Sequence, residues 1–164
     1  VREAEVSGVV AVERCWTEGS RSVGGGLVSG DVLVARDAAE MLFAHCFTAG
    51  PESSGGGLMV HNFLVSWNTS VLDIFNCSTT GKSSQGGGVH ALSWTFYGAA
   101  RGTVTSSSTA GPQAHGGGAQ VTFVSLFGSS SLVVTEAVAR GDGSVGGGLY
   151  SSELQMVDSA TLDL

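Results

Sequence analysis

Residues 46–57 read CFTAGPESSGGG, and the glycine triplet that closes this stretch recurs along the whole chain. The five copies are Gly24–Gly26, Gly55–Gly57, Gly86–Gly88, Gly116–Gly118 and Gly146–Gly148. Successive triplets are 31, 31, 30 and 30 residues apart. A fixed period of this length indicates a repeat architecture, in which each repeat is one structural unit that stacks on the next.

Apolar residues recur in phase with the triplets. Three residues after the first glycine come Leu27, Leu58, Val89, Ala119 and Leu149. The eighth position holds Val32, Phe63, Trp94, Val124 and Leu154, and the tenth holds Val34, Val65, Phe96, Leu126 and Met156. Positions two apart share one face of a β-strand. With a third alternating stretch before each triplet, such as Leu72 and Ile74, the pattern predicts three short strands per period.

A turn signature, Cys-x-Thr-x-Gly, precedes the triplets. We call a set of equivalent positions in successive repeats a column. The first column of this signature is Cys15, Cys46, Cys77, Ser107 and Ala137. These residues share small volume rather than chemistry, which favours a tight inward corner. Its threonine column is Thr17, Thr48, Thr79 and Thr109. We expect these hydroxyls to lie inside and to hydrogen-bond to each other and to turn amides, whereas an outward row would order water.

Three strands in about 31 residues cannot bury their apolar face alone, so each coil must stack on its neighbours. The prediction is an all-β fold, a right-handed parallel β-helix (solenoid) of about five coils with three short strands per coil. Residues 1–164 are expected to form a single β-helix domain, a segment of a longer solenoid. The one-residue shortening of the last two periods is predicted to fall in the turns around Gly98 and Gly128, because loops tolerate deletions better than strands.

The stretch Phe75-Asn76-Cys77, followed by Gly86-Gly87-Gly88-Val89, resembles the short repeats of polymorphic outer-membrane passenger domains. It is also similar to the repeats of glycine-rich surface proteins of unicellular eukaryotes, which carry pectate-lyase-like β-helices. The resemblance covers almost the whole chain at the level of repeat pattern. It implies a right-handed β-helix on an extracellular or cell-surface protein, with structural or adhesive use.

Charge and composition exclude several classes of function. The net charge is −7 and only seven Lys and Arg are present, scattered along the chain, which excludes a nucleic-acid partner. No apolar run approaches the ~18 residues of a membrane span, so no membrane insertion is expected within this segment. The four histidines occupy four different columns without metal-ligand spacing, and neither a metal nor a cofactor is predicted.

Enzymes are the first alternative class, because polysaccharide lyases and hydrolases also use this fold. Their chemistry needs acidic groups close together. By the predicted register Asp31 and Glu153 share a column about four coils apart, and Asp73 and Glu136 lie in different columns. No carboxylate pair is predicted within ~10 Å, so the chain is predicted not to be an enzyme.

Several residues remain as candidate sites. Cys15, Cys46 and Cys77 stack at ~4.8 Å, which allows one strained disulfide but favours free thiols. Asn68 and Asn76 lie in glycosylation sequons, and Arg140, Gly141 and Asp142 form an adhesion-type tripeptide in a turn. The central triplet glycines form a stripe that is either a repeated tight corner or a bare groove for a partner; they are Gly25, Gly56, Gly87, Gly117 and Gly147.

The sequence therefore predicts a non-catalytic extracellular or cell-surface scaffold with a structural or adhesive role. A polysaccharide lyase or hydrolase is one alternative, and a glycan-binding module that uses Trp16, Trp67 or Tyr97 as stacking platforms is the other. The expected partners are further coils of the same chain, end-to-end copies, glycans, or host or cell-surface proteins.

Overall fold

The computed structural model describes residues 3–164, so the predicted domain begins with two residues outside the described part. The described residues form an all-β solenoid of about five coils with three strands per coil, as predicted. The strands are β1 Glu3–Val6, β2 Val9–Glu13, β3 Trp16–Glu18, β4 Leu27–Ser29, β5 Val32–Ala35, β6 Glu40–Ala44, β7 Phe47–Ala49, β8 Leu58–Ser66, β9 Val71–Phe75, β10 Ser78–Thr80, β11 Val89–Phe96, β12 Arg101–Thr105, β13 Ser108–Ala110, β14 Ala119–Leu126, β15 Ser131–Thr135, β16 Val138–Arg140, β17 Leu149–Tyr150, β18 Glu153–Met156 and β19 Thr161–Asp163. No helix long and apolar enough to cross a membrane occurs in this range.

The strands form three parallel sheets, and each full coil gives strands to all three. The first sheet has the order β1-β5-β8-β11-β14-β17, with β4 on β8 and β18 on β14. The second sheet is β19-β15-β12-β9-β6-β2, and the third is β16-β13-β10-β7-β3. Each coil is therefore joined to the next by backbone hydrogen bonds on three sides.

The core fills the inside of the coils with side chains that alternate along the strands. The first sheet contributes Leu33, Leu64, Trp94 and Val124, and the second contributes Met41, Phe43, Leu72, Ile74, Val104, Leu132 and Val134. Glycine replaces a large residue in this second sheet at Gly102. A Cβ there would lie 2.8 Å from the Phe96 ring and 3.0 Å from the Trp94 ring, so its absence makes room for two of the largest buried side chains.

The register of the first sheet corrects one prediction. Phe63 does not share a column with Trp94, because Phe63 pairs with Ser93 and Leu64 pairs with Trp94. The register shifts between Ala91 and Ser93, so the deleted residue lies inside β11. In the first two coils the inward residues accordingly come one position later than predicted.

The shortening was predicted in the turns around Gly98 and Gly128, but these turns keep their length. Each of them needs one residue in the left-handed region of backbone conformation at a fixed position. That residue has φ between 57° and 77° in every coil, and the column is Asp37, Asn68, Gly98, Gly128 and Asp158. Asn, Asp and Gly are the residues that tolerate this conformation best. The strand absorbs the deletion with a local bend, whereas the turn has no spare residue to lose.

Candidate functional site

A surface groove with a volume of about 360 Å³ lies over the N-terminal part of the second sheet. Val9, Leu42 and Val71 are among its lining residues, and Glu40 and Asp73 also line it. Glu40 is paired with Val71, and Leu42 with Asp73, on adjacent strands. The two acidic residues therefore project from the same face of the sheet, with Cα atoms roughly 8 Å apart.

The prediction that no carboxylate pair lies within ~10 Å is therefore wrong. The sequence comparison looked for acids within columns, whereas Glu40 and Asp73 are diagonal neighbours on consecutive coils. Asp73 Oδ1 accepts a hydrogen bond from Thr103 Oγ1, and Glu40 is exposed. The pair has the residue types of an acid–base site, over an apolar floor.

Asp31 and Glu153 do not share a column, which corrects the predicted register. Asn62 lies beside Asp31 and donates from Nδ2 to Asp31 Oδ1 at 2.6 Å. Glu153 pairs with Phe123 in the column of Ser93 and Phe63. The shift within β11 separates the two columns.

The predicted thiol ladder is present, and Cys15, Cys46 and Cys77 are free thiols. Cys46 and Cys77 are fully buried, and Cys15 is half-buried. Cys46 Sγ donates to Ala44 O at 3.4 Å, and Cys77 Sγ contacts Phe75 O at 3.5 Å. Burial raises the pKa of Cys77 to about 12 and also raises the pKa of Cys46. These two side chains are therefore protonated, unreactive packing residues at neutral pH.

The threonine column lies inside, but its predicted hydrogen bonds are wrong. The Oγ1 atoms of Thr17, Thr48, Thr79 and Thr109 are buried and have no hydrogen-bond partner. Equivalent atoms on paired parallel strands lie ~4.8 Å apart when the rotamers are equal, well beyond the ~3 Å of a hydroxyl hydrogen bond. The column therefore serves packing.

The glycine stripe forms a closed corner, and its interpretation as an open groove is wrong. Gly56 and Gly87 are buried. A Cβ on Gly56 would overlap the carbonyl oxygen of Gly87, in the next triplet, and that of Ser78, in the third sheet. The triplet therefore passes directly against the third sheet, and only residues without a side chain fit between the two backbones. The same overlap occurs at Gly25 and Gly117.

The sequon asparagines are both exposed, on turns of left-handed backbone. Asn68 has φ 59° and donates from Nδ2 to Asp37 Oδ1 at 2.9 Å. Asn76 has φ 49°, and its Nδ2 lies 2.9 Å from His45 Nδ1. Ser70, the hydroxyl residue of the first sequon, is buried. Glycosylation at either asparagine stays a prediction.

The adhesion-type tripeptide begins at Arg140, the last residue of β16, and continues into the exposed turn that follows. Arg140, Gly141 and Asp142 are all exposed, and Gly141 has φ 123°. Gln113 N donates to Asp142 O at 2.9 Å, which ties this turn to the preceding coil. The tripeptide is accessible, and its use in adhesion stays a prediction.

Three aromatic side chains stack along one turn of successive coils. Trp67 and Tyr97 have ring centroids 4.0 Å apart at 17°, and Tyr97 and Phe127 have centroids 5.2 Å apart at 9°. Both faces of Tyr97 are therefore covered by its neighbours, as is one face of Trp67. Tyr97 offers only its edge to a sugar. Trp16, which is 65% exposed, keeps the surface that a glycan platform needs.

The four histidines lie in four different columns, as expected, and residues 3–164 contain no group of three His, Cys, Asp or Glu placed to hold a metal ion. Burial, with a smaller effect of His61, lowers the pKa of His90 to about 4.

No family model matches this chain, and no curated protein or solved structure is found to be similar to it.

Proposed function

We propose that this chain is a non-catalytic β-solenoid scaffold, a stiff structural or adhesive segment of an extracellular or cell-surface protein. The observation that carries the proposal is the parallel pairing of coil on coil in all three sheets. Each coil is hydrogen-bonded to the next in three sheets and contacts only its neighbours, so a load applied to one coil passes to the adjacent coils. The resemblance of the repeats to passenger domains and pectate-lyase-like surface proteins supports the same role.

Polar side chains on the turns add contacts between coils. Arg21 Nε pairs with Glu52 Oε2 at 2.8 Å, and Ser106 Oγ donates to Glu136 Oε2 at 2.6 Å. Asn68 and Asp37 form a third such pair. Each pair joins residues 30 or 31 apart, so each lies along the solenoid axis. These three pairs hold successive coils together at the turns, which suits a rigid rod better than mobile loops that bind a partner.

A pulling experiment tests the mechanical role. With the chain held at its two ends in a force spectrometer, we expect stepwise unfolding in units of one coil. Each step should release roughly 100 Å, the extended length of about 30 residues. A single featureless extension at low force would contradict a load-bearing rod.

The adhesive role has a separate test at the exposed tripeptide. Integrin-bearing cells should attach to surfaces coated with the chain, and Asp142→Ala should reduce attachment. Asp163→Ala, at another exposed aspartate whose φ is also not positive, is the matched control. Equal attachment to both variants would remove the tripeptide from the proposal and leave the structural role.

A polysaccharide lyase or hydrolase is the second candidate, favoured by the groove that holds Glu40 and Asp73. The test is to incubate the chain with neutral and acidic polysaccharides and to measure reducing ends and unsaturated products. The scaffold proposal expects no release above that of the double variant Glu40→Gln/Asp73→Asn. Release that this variant loses, and that the control Glu18→Gln keeps, would establish the enzyme instead.

Further coils or end-to-end copies are included among the proposed partners. Leu154 and Met156 occupy core columns, where Val124 and Leu126 precede them, yet they are 45% and 43% exposed. Exposed apolar residues in core columns are the physical ground for this part of the proposal.

A further inference from the structure

One glycine of the chain is not required by the fold. Gly143 lies in the turn after β16 and has φ 70°. The four earlier coils place residues with side chains at the same position, with φ between 58° and 60°; they are Arg21, Glu52, Ser83 and Gln113. A Cβ on Gly143 would meet one atom within 4 Å, Gln113 Cγ at 3.9 Å. Neither the backbone conformation nor the space around this position therefore demands a glycine.

The residue before this glycine is an aspartate with a free side chain. No other aspartate or asparagine of the chain is followed by glycine. Asp142 and Gly143 are both exposed, and within residues 3–164 the Asp142 carboxylate forms no ion pair. The carboxyl group is therefore open to solvent and is not held away from the backbone that follows it.

The backbone NH that follows Asp142 is also free. At the equivalent position of earlier coils, this NH donates to a carbonyl of the next coil. Glu52 N donates to Lys82 O at 2.8 Å in this way, and Gln113 N donates to Asp142 O at 2.9 Å. Within the described residues, Gly143 N donates no backbone hydrogen bond. A carboxyl group and an unprotected amide nitrogen thus lie next to each other, without a side chain to shield the nitrogen.

We propose that Asp142 is a site of spontaneous modification, at which the native turn converts aspartate into isoaspartate. The Gly143 nitrogen attacks Cγ of the protonated Asp142 carboxyl, and the new N–Cγ bond closes a five-membered succinimide ring. The hydroxyl of the carboxyl group and the amide proton leave together as one water molecule. The reaction needs no oxidant, reductant or cofactor.

Water then reopens the ring at one of its two carbonyl carbons. Attack at Cγ restores aspartate. Attack at the former backbone carbonyl carbon breaks its bond to the Gly143 nitrogen, and the hydroxyl of the water goes to that carbon while its proton goes to the nitrogen. The backbone then runs through Cβ and Cγ, with one more methylene group, and a free carboxylate remains on Cα. The carbonyl of Asp142 that accepts from Gln113 N becomes part of this carboxylate. Modification therefore changes the contact that ties this turn to the preceding coil.

Asp158 provides a comparison within the same chain. It lies at another exposed turn and has φ 65°. The next residue is Ser159, whose backbone N donates to Gly128 O at 3.0 Å. This nitrogen is both hydrogen-bonded and shielded by a side chain, so Asp158 should resist the reaction that modifies Asp142.

The test is to incubate the full chain for several weeks at neutral pH and body temperature, both native and in urea, and then to digest it with trypsin. Arg140 is the last Lys or Arg of the chain, so one peptide, residues 141–164, carries both aspartates. Isoaspartate leaves the mass of this peptide unchanged, and electron-transfer fragmentation assigns it to a residue. We expect isoaspartate to accumulate at Asp142 in the native chain and to be absent at Asp158.

Two variants separate the folded turn from the unfolded chain. Gly143→Gln copies the residue of the preceding coil and should lose the isoaspartate signal while it keeps Asp142. If Gly143→Gln does not fold, as judged by circular dichroism, Gly143→Ser copies the Ser83 coil and serves in its place. Gly87→Ala destabilises the chain by backbone overlap at a distant triplet and should leave the rate at Asp142 unchanged.

Three results would overturn the proposal. The first is isoaspartate that forms in urea but not in the native chain. The second is a rate that rises in Gly87→Ala, because the reaction would then pass through the unfolded state. The third is an equal amount of isoaspartate in the wild type and in the variant that carries a side chain at position 143.

Discussion

Replacing Gly87 with alanine tests the closed corner most directly. A Cβ at Gly87 would overlap the carbonyl oxygens of Gly117 and Ser108, which are backbone atoms with little freedom to move. The φ of Gly87 is not positive, so alanine adopts this conformation without strain and the whole cost comes from the overlap. Relief requires the coils to separate, which lengthens the hydrogen bond from Gly87 N to Gly116 O, now 3.0 Å.

The cost should reach at least about 3 kcal/mol, the upper part of the range for overpacked cores. For a domain of this size, that lowers the melting temperature by roughly 6–12 °C. Thermal unfolding followed by circular dichroism measures the effect.

Gly147→Ala is the matched control, because it changes the same column of the last triplet. The nearest atom to a Cβ there is Ala137 O, at 3.4 Å. This variant should melt close to the wild type, or slightly above it, since alanine reduces the entropy of the unfolded chain. If Gly87→Ala melts within about 2 °C of Gly147→Ala, the triplet does not form a packed corner.

Three further outcomes are expected. A thiol reagent at pH 8 should label Cys15 in the native protein and spare Cys77, whose pKa of about 12 reflects its burial; rapid labelling of all three thiols would contradict the buried ladder. The folded pKa of His90 is lowered from 6.5 to about 4, so protonation of this histidine favours the unfolded state. The free energy of unfolding should therefore be highest above pH 6.5 and should fall as the pH is lowered toward 4. Urea unfolding across that range should show a loss of up to about 3 kcal/mol that His90→Gln largely removes, and an unchanged pH profile in the variant would exclude His90 as the cause. Gly102→Ala should cost about 1–3 kcal/mol by crowding Trp94 and Phe96, and Phe96→Leu in the same chain should recover part of it, whereas additive losses would argue against a direct contact.

The repeat period and the strand count followed from the sequence, because a solenoid repeats its constraints in every coil. The same backbone approach requires glycine at the centre of the first four triplets, Gly25, Gly56, Gly87 and Gly117, so the triplets appear at regular spacing. The small residues of the Cys46 column mark the same corner from the other side. A residue type that recurs at the same position in every repeat can be recognised even though the residues around it differ between repeats.

The register within the first sheet was not predictable in this way. The missing residue of the third coil leaves no mark at Leu92, because a strand that bends still shows apolar residues two apart. Aligning every coil on its glycines placed Phe63 with Trp94, and the error was only one position. That position decides whether a side chain faces the core or solvent.

The groove between Glu40 and Asp73 was missed for a geometric reason. Columns compare residues directly above one another, whereas these acids are offset by two residues on neighbouring strands. The signal was present in the sequence as two outward acids one coil apart. A search that also compared residues offset by two positions on adjacent strands would have found this pair.

The nearest-neighbour pairing of the coils also bears on how such a chain changes over generations. Each internal coil contacts one coil before it and one after it, in all three sheets. Duplicating one period lengthens the rod by ~4.8 Å and gives every existing strand the kind of neighbour that it already has. The number of coils can therefore change without disturbing the existing strands, while the outward residues of each coil diverge independently, as Phe63, Ser93 and Phe123 already do within one column.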